Sequence, residues 1–363
     1  MRIYLIGAGV IARTHALAAA KLPEPVDLRA ADPNPAALAD FQSQFPGVPT
    51  CKDAAEMLNA ETPLDDDIVI VATPPSLHLG PTKLALQSGR HVLCEKPLAM
   101  NPVEAEEMLR TAERHGRLLG CCSVRFKGMP HMEAVKRVIA SGALGDIYHV
   151  TFVNKWERSR SGIEYQPGSR WFLDSGKSGG GVLMDWGPYD FATLNDILQP
   201  SSIEVAGAWT AKPTTAADPI DVPFDVETHV GAFMTFRGGH RPIHVHYERA
   251  SCAHGEEYVQ AEIEGTRGAL RWMPFDSRQP VFLRLDKDGT IDEEQVETGP
   301  RGPFTIMDNP IVHFHRKVRG LNSQANTGRY AVDIFRCISA LYECERTGVK
   351  QILAMNREGG GGH

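Results

Sequence analysis

A chain of 363 residues, 42% hydrophobic and 23% charged, is too long for one small core and has the make-up of a two-domain globular protein. A net charge of −7 argues against a nucleic-acid-binding face, yet it leaves room for an anionic cofactor whose phosphates meet backbone donors locally. Seven cysteines without regular spacing, no leader before the first strand and no apolar run near the roughly 18 residues of a membrane span predict a cytoplasmic protein with small-molecule partners and no membrane association.

Residues 3–6 form an apolar strand that runs into Gly7-Ala8-Gly9-Val10-Ile11-Ala12, and the alanine-rich stretch 13–22 is helix-forming. In such a strand, turn and helix, Gly7 permits the tight turn and Gly9 lets a pyrophosphate approach the backbone. The helix start at Val10 and Ile11 offers free N–H groups to the phosphates. A glycine pattern alone is weak evidence. Here it follows a strand, opens a helix and has Asp32 placed 20 residues after Ala12, at the end of a second strand over 26–31. A carboxylate there binds both ribose hydroxyls of NAD and repels the 2′-phosphate of NADP, so NAD is the expected cofactor and NADP the alternative. Asp32-Pro33-Asn34-Pro35 also fits a turn in which Asp32 caps the helix over 36–45.

A short helix over 53–60 leads to a fully apolar strand, 68–72, which Thr73-Pro74-Pro75 stop at the carboxyl edge of the sheet. His78 comes early in a helix over 76–87, where it either faces the cofactor or solvates the helix start. The run 91–94, bounded by Gly89 and Pro97, is expected to be a buried parallel strand that delivers Glu95-Lys96-Pro97 to the rim where ligands bind. Pro97 holds Lys96 in extended backbone and so fixes the direction of its amine; a cis Lys96-Pro97 bond fits this setting. A surface lysine after a strand has the same local pattern. Asn101-Pro102 caps a helix over 103–115, and 117–122 is another strand. Strands alternating with helices predict a doubly wound parallel sheet, a Rossmann dinucleotide-binding domain over 1–123.

Beyond Ser123 the rhythm changes. After a helix over 130–140, strands are expected at 146–156, 203–211, 228–236, 243–249, 258–264 and 281–285, joined by turns such as Arg237-Gly238-Gly239-His240. Successive strands without intervening helices predict an α+β domain over 124–357, built on a largely antiparallel open sheet whose bare face a second subunit would cover. Helices over 309–319 and 325–345 close it, and 358–363 is expected to be a flexible tail.

Ser178-Gly179-Gly180-Gly181 opens a helical pattern containing Asp185 and Tyr189. The glycines give the backbone room against another surface, the nicotinamide or the domain cleft. Asp185 and Tyr189, four apart, share a helix face, while Pro188 predicts a kink or a late helix start. A loop with Asp185 as cap and Tyr189 in the core fits the same residues. Trp156, Arg158, Arg170 and Trp171, with Arg125 at the domain junction, suit a sugar ring, an acid or a phosphate, though each also fits structural pairing. His244 and His246 alternate on one strand face without a third ligand, so no metal is expected.

Taken together these residues resemble the Gfo/Idh/MocA oxidoreductase family over nearly the whole chain. The resemblance is carried by Gly7-Ala8-Gly9, Ala72-Thr73-Pro74-Pro75 with His78, Glu95-Lys96-Pro97, Gly179-Gly180-Gly181 leading to Asp185 and Gly187, and the closing stretch 330–348. It implies catalytic roles for Lys96 and Asp185, and sets Thr73, Pro74, His78, Glu95 and Lys96 among the cofactor-binding residues. Where the family's commonest pattern has a histidine, this chain has Tyr189, similar to the sugar-oxidising branch of glucose-fructose oxidoreductase and some xylose dehydrogenases. The implied assembly is a homodimer or homotetramer formed through the second domain's sheet. The implied reaction is hydride transfer between a sugar or polyol carbinol and nicotinamide, with Tyr189 exchanging the proton or, in the other variant, Lys96 doing so. A glycoside-cleaving enzyme that oxidises its sugar transiently, and a cofactor-sensing regulator without catalysis, are the alternatives.

Overall fold

The computed structural model describes residues 1–157, 167–215 and 218–356; Arg158 and the expected tail lie outside the described residues. The chain divides into two compact units, Met1–Arg125 with Pro303–Phe335, and Phe126–Gly302 with Arg336–His363.

The first unit begins β1 (Arg2–Ile6), α1 (Val10–Ala19), β2 (Asp27–Ala31), α2 (Pro35–Gln44), β3 (Thr50–Cys51), α3 (Ala54–Asn59), β4 (Ile68–Val71), α4 (Leu79–Gln87), β5 (His91–Cys94), α5 (Pro102–Arg114) and β6 (Leu119–Cys121). The six strands pair in parallel in the order β6-β5-β4-β1-β2-β3. All four residues of β4 are buried, as expected for a strand covered on both faces. Local caps set the helix starts: Asn101 accepts from the Glu104 N–H at α5, and Asn34 accepts from the Ala36 N–H at α2. Asn34, not Asp32, is therefore the cap of α2. Ile6 lies against Val71 and Val71 against Cys94, so Gly7, Ala72 and Glu95 leave the sheet together at its carboxyl edge.

The second unit contains α6 (Pro130–Ala140), β7 (Ile147–Lys155), α7 (Ser175–Ser178), α8 (Val182–Leu198), β8 (Ser202–Ala211), β9 (His229–Arg237), β10 (Ile243–Ala250), β11 (Tyr258–Gly265), β12 (Gly268–Trp272), β13 (Val281–Lys287) and β14 (Thr290–Val296). The chain then passes through α9 (Asn309–Val318), β15 (Asn326–Thr327), α10 (Gly328–Thr347) and β16 (Gln351–Ala354). The second sheet runs β14-β13-β12-β11-β7-β10-β9-β8-β16 and is antiparallel except between β7 and β10. Strands β12, β14 and β16 were not expected. Thr290–Val296 is almost wholly exposed and carries no apolar alternation, while Gln351–Ala354 is very short.

The expected boundary is corrected by the return of Pro303–Phe335 to the first unit. On α9, Ile311 and Phe314 join Ile3, Leu5, Ile70 and Leu93 in one core, and a Cβ at Gly120 would lie 2.6 Å from the Phe314 ring. Lys21 anchors the approach to this helix through Asp308 at 2.8 Å, and β15 pairs with β6. Helix α8 begins at Val182 and continues through Pro188, so the late start is not adopted. No helix among the described residues is long and apolar enough to cross a membrane.

Candidate active site

The rim of the first unit's sheet is shaped for a dinucleotide. Gly7 has φ +105° and a Cβ there would meet the Ala72 carbonyl oxygen at 2.7 Å, so this turn excludes any side chain. A Cβ at Gly9 would meet nothing within 4 Å, and α1 begins beside it with no side-chain cap and no acid in its first turn. The first N–H groups of α1 are therefore met by no side-chain cap. Asp32 accepts from the Ala8 N–H through Oδ2 and from the Asn34 N–H through Oδ1, each at 2.8 Å, which fixes a carboxylate beside the glycine turn.

Behind the next two loops lie contacts the sequence did not disclose. His78 is fully buried, with Nε2 2.9 Å from the Thr73 carbonyl oxygen and Nδ1 2.9 Å from that of Pro97, one of which takes the ring N–H. The ring therefore sits between the loops that carry Thr73 and Pro97. Burial holds its pKa below the usual imidazole value, against the pull of those carbonyls. The Lys96-Pro97 peptide is cis, and Lys96 is half-buried.

Glu95 is 4% exposed. Its Oε1 meets His15 Nε2 at 2.9 Å and Arg125 at 3.1 Å, and its Oε2 accepts from the Lys96 N–H at 2.9 Å. Burial opposes its ionisation, but Arg125, His15 and Lys96 together hold the carboxyl well below the ordinary range. Glu95 thus holds the Lys96 backbone, and one Arg125 nitrogen pairs with the same carboxylate. Among the described residues, ligand atoms of His15, Glu95 and Cys122 lie within 4.8 Å of one another. Arg125 already occupies the carboxylate, and burial raises the Cys122 thiol well above its ordinary pKa, so the trio is a hydrogen-bonded brace.

In the second unit, Asp185 and Tyr189 stand one turn apart on α8. Asp185 is half-buried; Tyr189 is 4% exposed, with its ring edge-on to Phe126 at 5.4 Å and to Trp186 at 5.8 Å. Beneath them Arg249 packs over Trp186 and Phe275 and forms a buried ion pair with Asp190, which also accepts from the Tyr247 hydroxyl. The glycines before α8 do make room, but for this unit's own residues: a Cβ at Gly181 would lie 1.7 Å from the Glu227 carbonyl oxygen, and one at Gly180 would lie 2.3 Å from the Tyr342 hydroxyl. Trp156, partly exposed, donates its ring N–H to Asn154. Arg170 pairs with Asp221 at 2.8 Å, and Trp171 stacks on Phe172.

Both parts of the chain match known family models. Residues 1–122 match the oxidoreductase family with an NAD-binding Rossmann fold, and residues 132–271 match the GFO/IDH/MocA C-terminal domain. A levoglucosan dehydrogenase of Pseudarthrobacter phenanthrenivorans is 25% identical over 84% of this chain and 82% of its own. A D-xylose 1-dehydrogenase (NADP(+)) of Haloarcula marismortui is 28% identical over 77% of this chain and 73% of its own. The crystal structure of an aldose-aldose oxidoreductase from Caulobacter crescentus superposes with a TM-score of 0.76 at 22% identity, covering 97% of this chain and 99% of that one, and so shares its fold. With both halves matched, the chain belongs to the Gfo/Idh/MocA oxidoreductase family and is an NAD-binding dehydrogenase or reductase.

Proposed function

We propose that this oxidoreductase transfers a hydride between a sugar or polyol carbinol and NAD, using Lys96, Asp185 and Tyr189. Two observations support the reading, one in each unit: a lysine whose backbone N–H is held by Glu95 at the end of β5, on the rim that carries the dinucleotide turn, and a carboxylate and a phenol one turn apart on α8. Two of the relatives are named for sugar oxidation, which points to the same substrate class. The bound nicotinamide supplies the hydride acceptor. Lys96 bonds the substrate oxygen, Tyr189 exchanges its proton and Asp185 orients both. A free phenol titrates near 10, so this role needs a cation beside the phenol during the reaction, the part we assign to Lys96. Gly7, Gly9, Val10, Ile11, Asp32, Thr73 and Pro74 hold the dinucleotide, with Asp32 favouring NAD over NADP. Trp156, Arg170 and Trp171 line the sugar side. We place the enzyme in the cytoplasm, consistent with seven free cysteines, and expect a homodimer or homotetramer covering the sheet face that exposes Trp209 and Phe233.

The test is nicotinamide reduction with a panel of levoglucosan, D-xylose, D-glucose and myo-inositol against NAD and NADP. Wild type is expected to reduce NAD with at least one sugar, and Lys96→Ala to lose about a hundredfold or more in turnover, the scale of acid–base catalysis. A variant within a few fold of wild type ends the proposal. Tyr189→Phe separates the two proton carriers: a loss as large as that of Lys96→Ala assigns the proton to the phenol, and a small one assigns it to the amine.

A further inference from the structure

The first four N–H groups of a helix have no partner within it and are met by water or a neighbouring side chain. In α8 they are met from elsewhere in the second unit. Gly181 donates to Glu227 Oε2 at 2.8 Å, Leu183 to Glu227 Oε1 at 3.0 Å, and Val182 to the Glu227 carbonyl oxygen at 3.0 Å. The Tyr342 hydroxyl donates to Glu227 Oε1 at 2.8 Å, and its oxygen takes a hydrogen bond from the Met184 backbone. The first internal bond follows at once, from Asp185 N–H to the Gly181 carbonyl.

A serine or aspartate at the usual cap position would satisfy these donors locally and tie the helix to nothing. Glu227 lies 46 residues from Gly181, immediately before β9, and Tyr342 is on α10. This cap therefore fixes the axial position of α8 against both the sheet and a second helix. Gly180 and Gly181 are the concession that lets those groups approach. Burial pushes the Glu227 carboxyl above its usual pKa despite the backbone donors, a cost that a local cap would avoid.

We propose that Glu227 and Tyr342 are positioning residues for catalysis: by clamping the first turn of α8 they set where Asp185 and Tyr189 stand. The inference rests on the reading that Asp185 and Tyr189 serve the reaction. Reacting groups displaced by about an ångström can lose up to about a hundredfold in rate, so a partial release should be visible in turnover.

The experiment uses the full-length enzyme with NAD and the panel sugar that wild type oxidises fastest. Turnover, KM, NADH affinity and melting temperature are compared for wild type, Glu227→Gln, Tyr342→Phe and Asp185→Asn. Glu227→Gln should lower kcat about tenfold and Tyr342→Phe about threefold or more, with NADH affinity within about twofold, because the nucleotide turn belongs to the first unit. A cap of purely structural use would lower the melting temperature and leave kcat alone. Should Glu227→Gln fail to fold, Tyr342→Phe decides, and a loss smaller than threefold overturns the proposal. If Asp185→Asn abolishes turnover while the clamp variants do not lower it, only the positioning role fails. If Asp185→Asn turns over as wild type does, or no sugar is oxidised, the reading of the site fails and this inference with it.

Discussion

Glu95, buried in the first unit, and Glu227, half-buried in the second, are carboxylates standing directly behind groups assigned to the chemistry, and their surroundings balance them in opposite ways. Glu95 meets charged or chargeable partners, Arg125 and His15, and gives its second oxygen to the Lys96 N–H. Glu227 meets neutral donors, two backbone N–H groups and the Tyr342 hydroxyl. Burial disfavours the charge in both places. The cations around Glu95 overcome it and hold that carboxyl low, whereas the neutral donors around Glu227 do not, and its carboxyl is pushed up. The first brace depends on charge and the second on hydrogen-bond geometry.

The larger consequence falls on Glu95. Replacing it by Gln keeps the shape and strips the charge, leaving the half-buried Arg125 against a neutral partner, which should cost the first unit about 3 kcal/mol near neutral pH. Amide exchange in β1, β4 and β5 measures this without interference from the second unit. The pH dependence has a definite sign. A carboxyl held low in the fold contributes stability that is complete above its unfolded value of 4.5 and is lost as the pH falls below it. Wild type should therefore lose protection in these strands below about pH 4.5, and Glu95→Gln should lack that loss. An unchanged acid slope in the variant would mean that charge is not what holds this brace.

The same contrast explains what was legible in the sequence. Lys96 and the pair Asp185 and Tyr189 stand out because a short motif carries each, and the strand expected at 91–94 appears as β5 (His91–Cys94). Local signals also place α6 at Pro130–Ala140. The braces behind these groups are invisible by the same logic, since their partners are distant in sequence: 80 residues separate His15 from Glu95, and 115 separate Tyr342 from Glu227. Gly180 and Gly181 announced a close approach but not its occupant. The return of α9 to the first sheet is likewise a contact between distant segments, so a boundary drawn from local rhythm could not include it.

The smaller effect belongs to Glu227, and it should run the other way with pH. Glutamine retains an acceptor for one N–H but turns an amide NH2 toward the other, so Glu227→Gln should cost the second unit only about 1 kcal/mol near pH 7. All five tryptophans, Trp156, Trp171, Trp186, Trp209 and Trp272, lie in that unit, so their emission during urea unfolding reports on it alone. A carboxyl raised in the fold takes up its proton more readily there than in the unfolded chain. Wild type should accordingly gain stability relative to the variant as the pH is lowered toward the unfolded value of 4.5. The gap between the two urea midpoints should widen from pH 7 to pH 5, whereas acid should erase the corresponding gap for Glu95. If instead the Glu227 gap narrowed, its carboxylate would be stabilised as an ion after all, and the distinction between a charge-balanced brace and a hydrogen-bonded one would collapse.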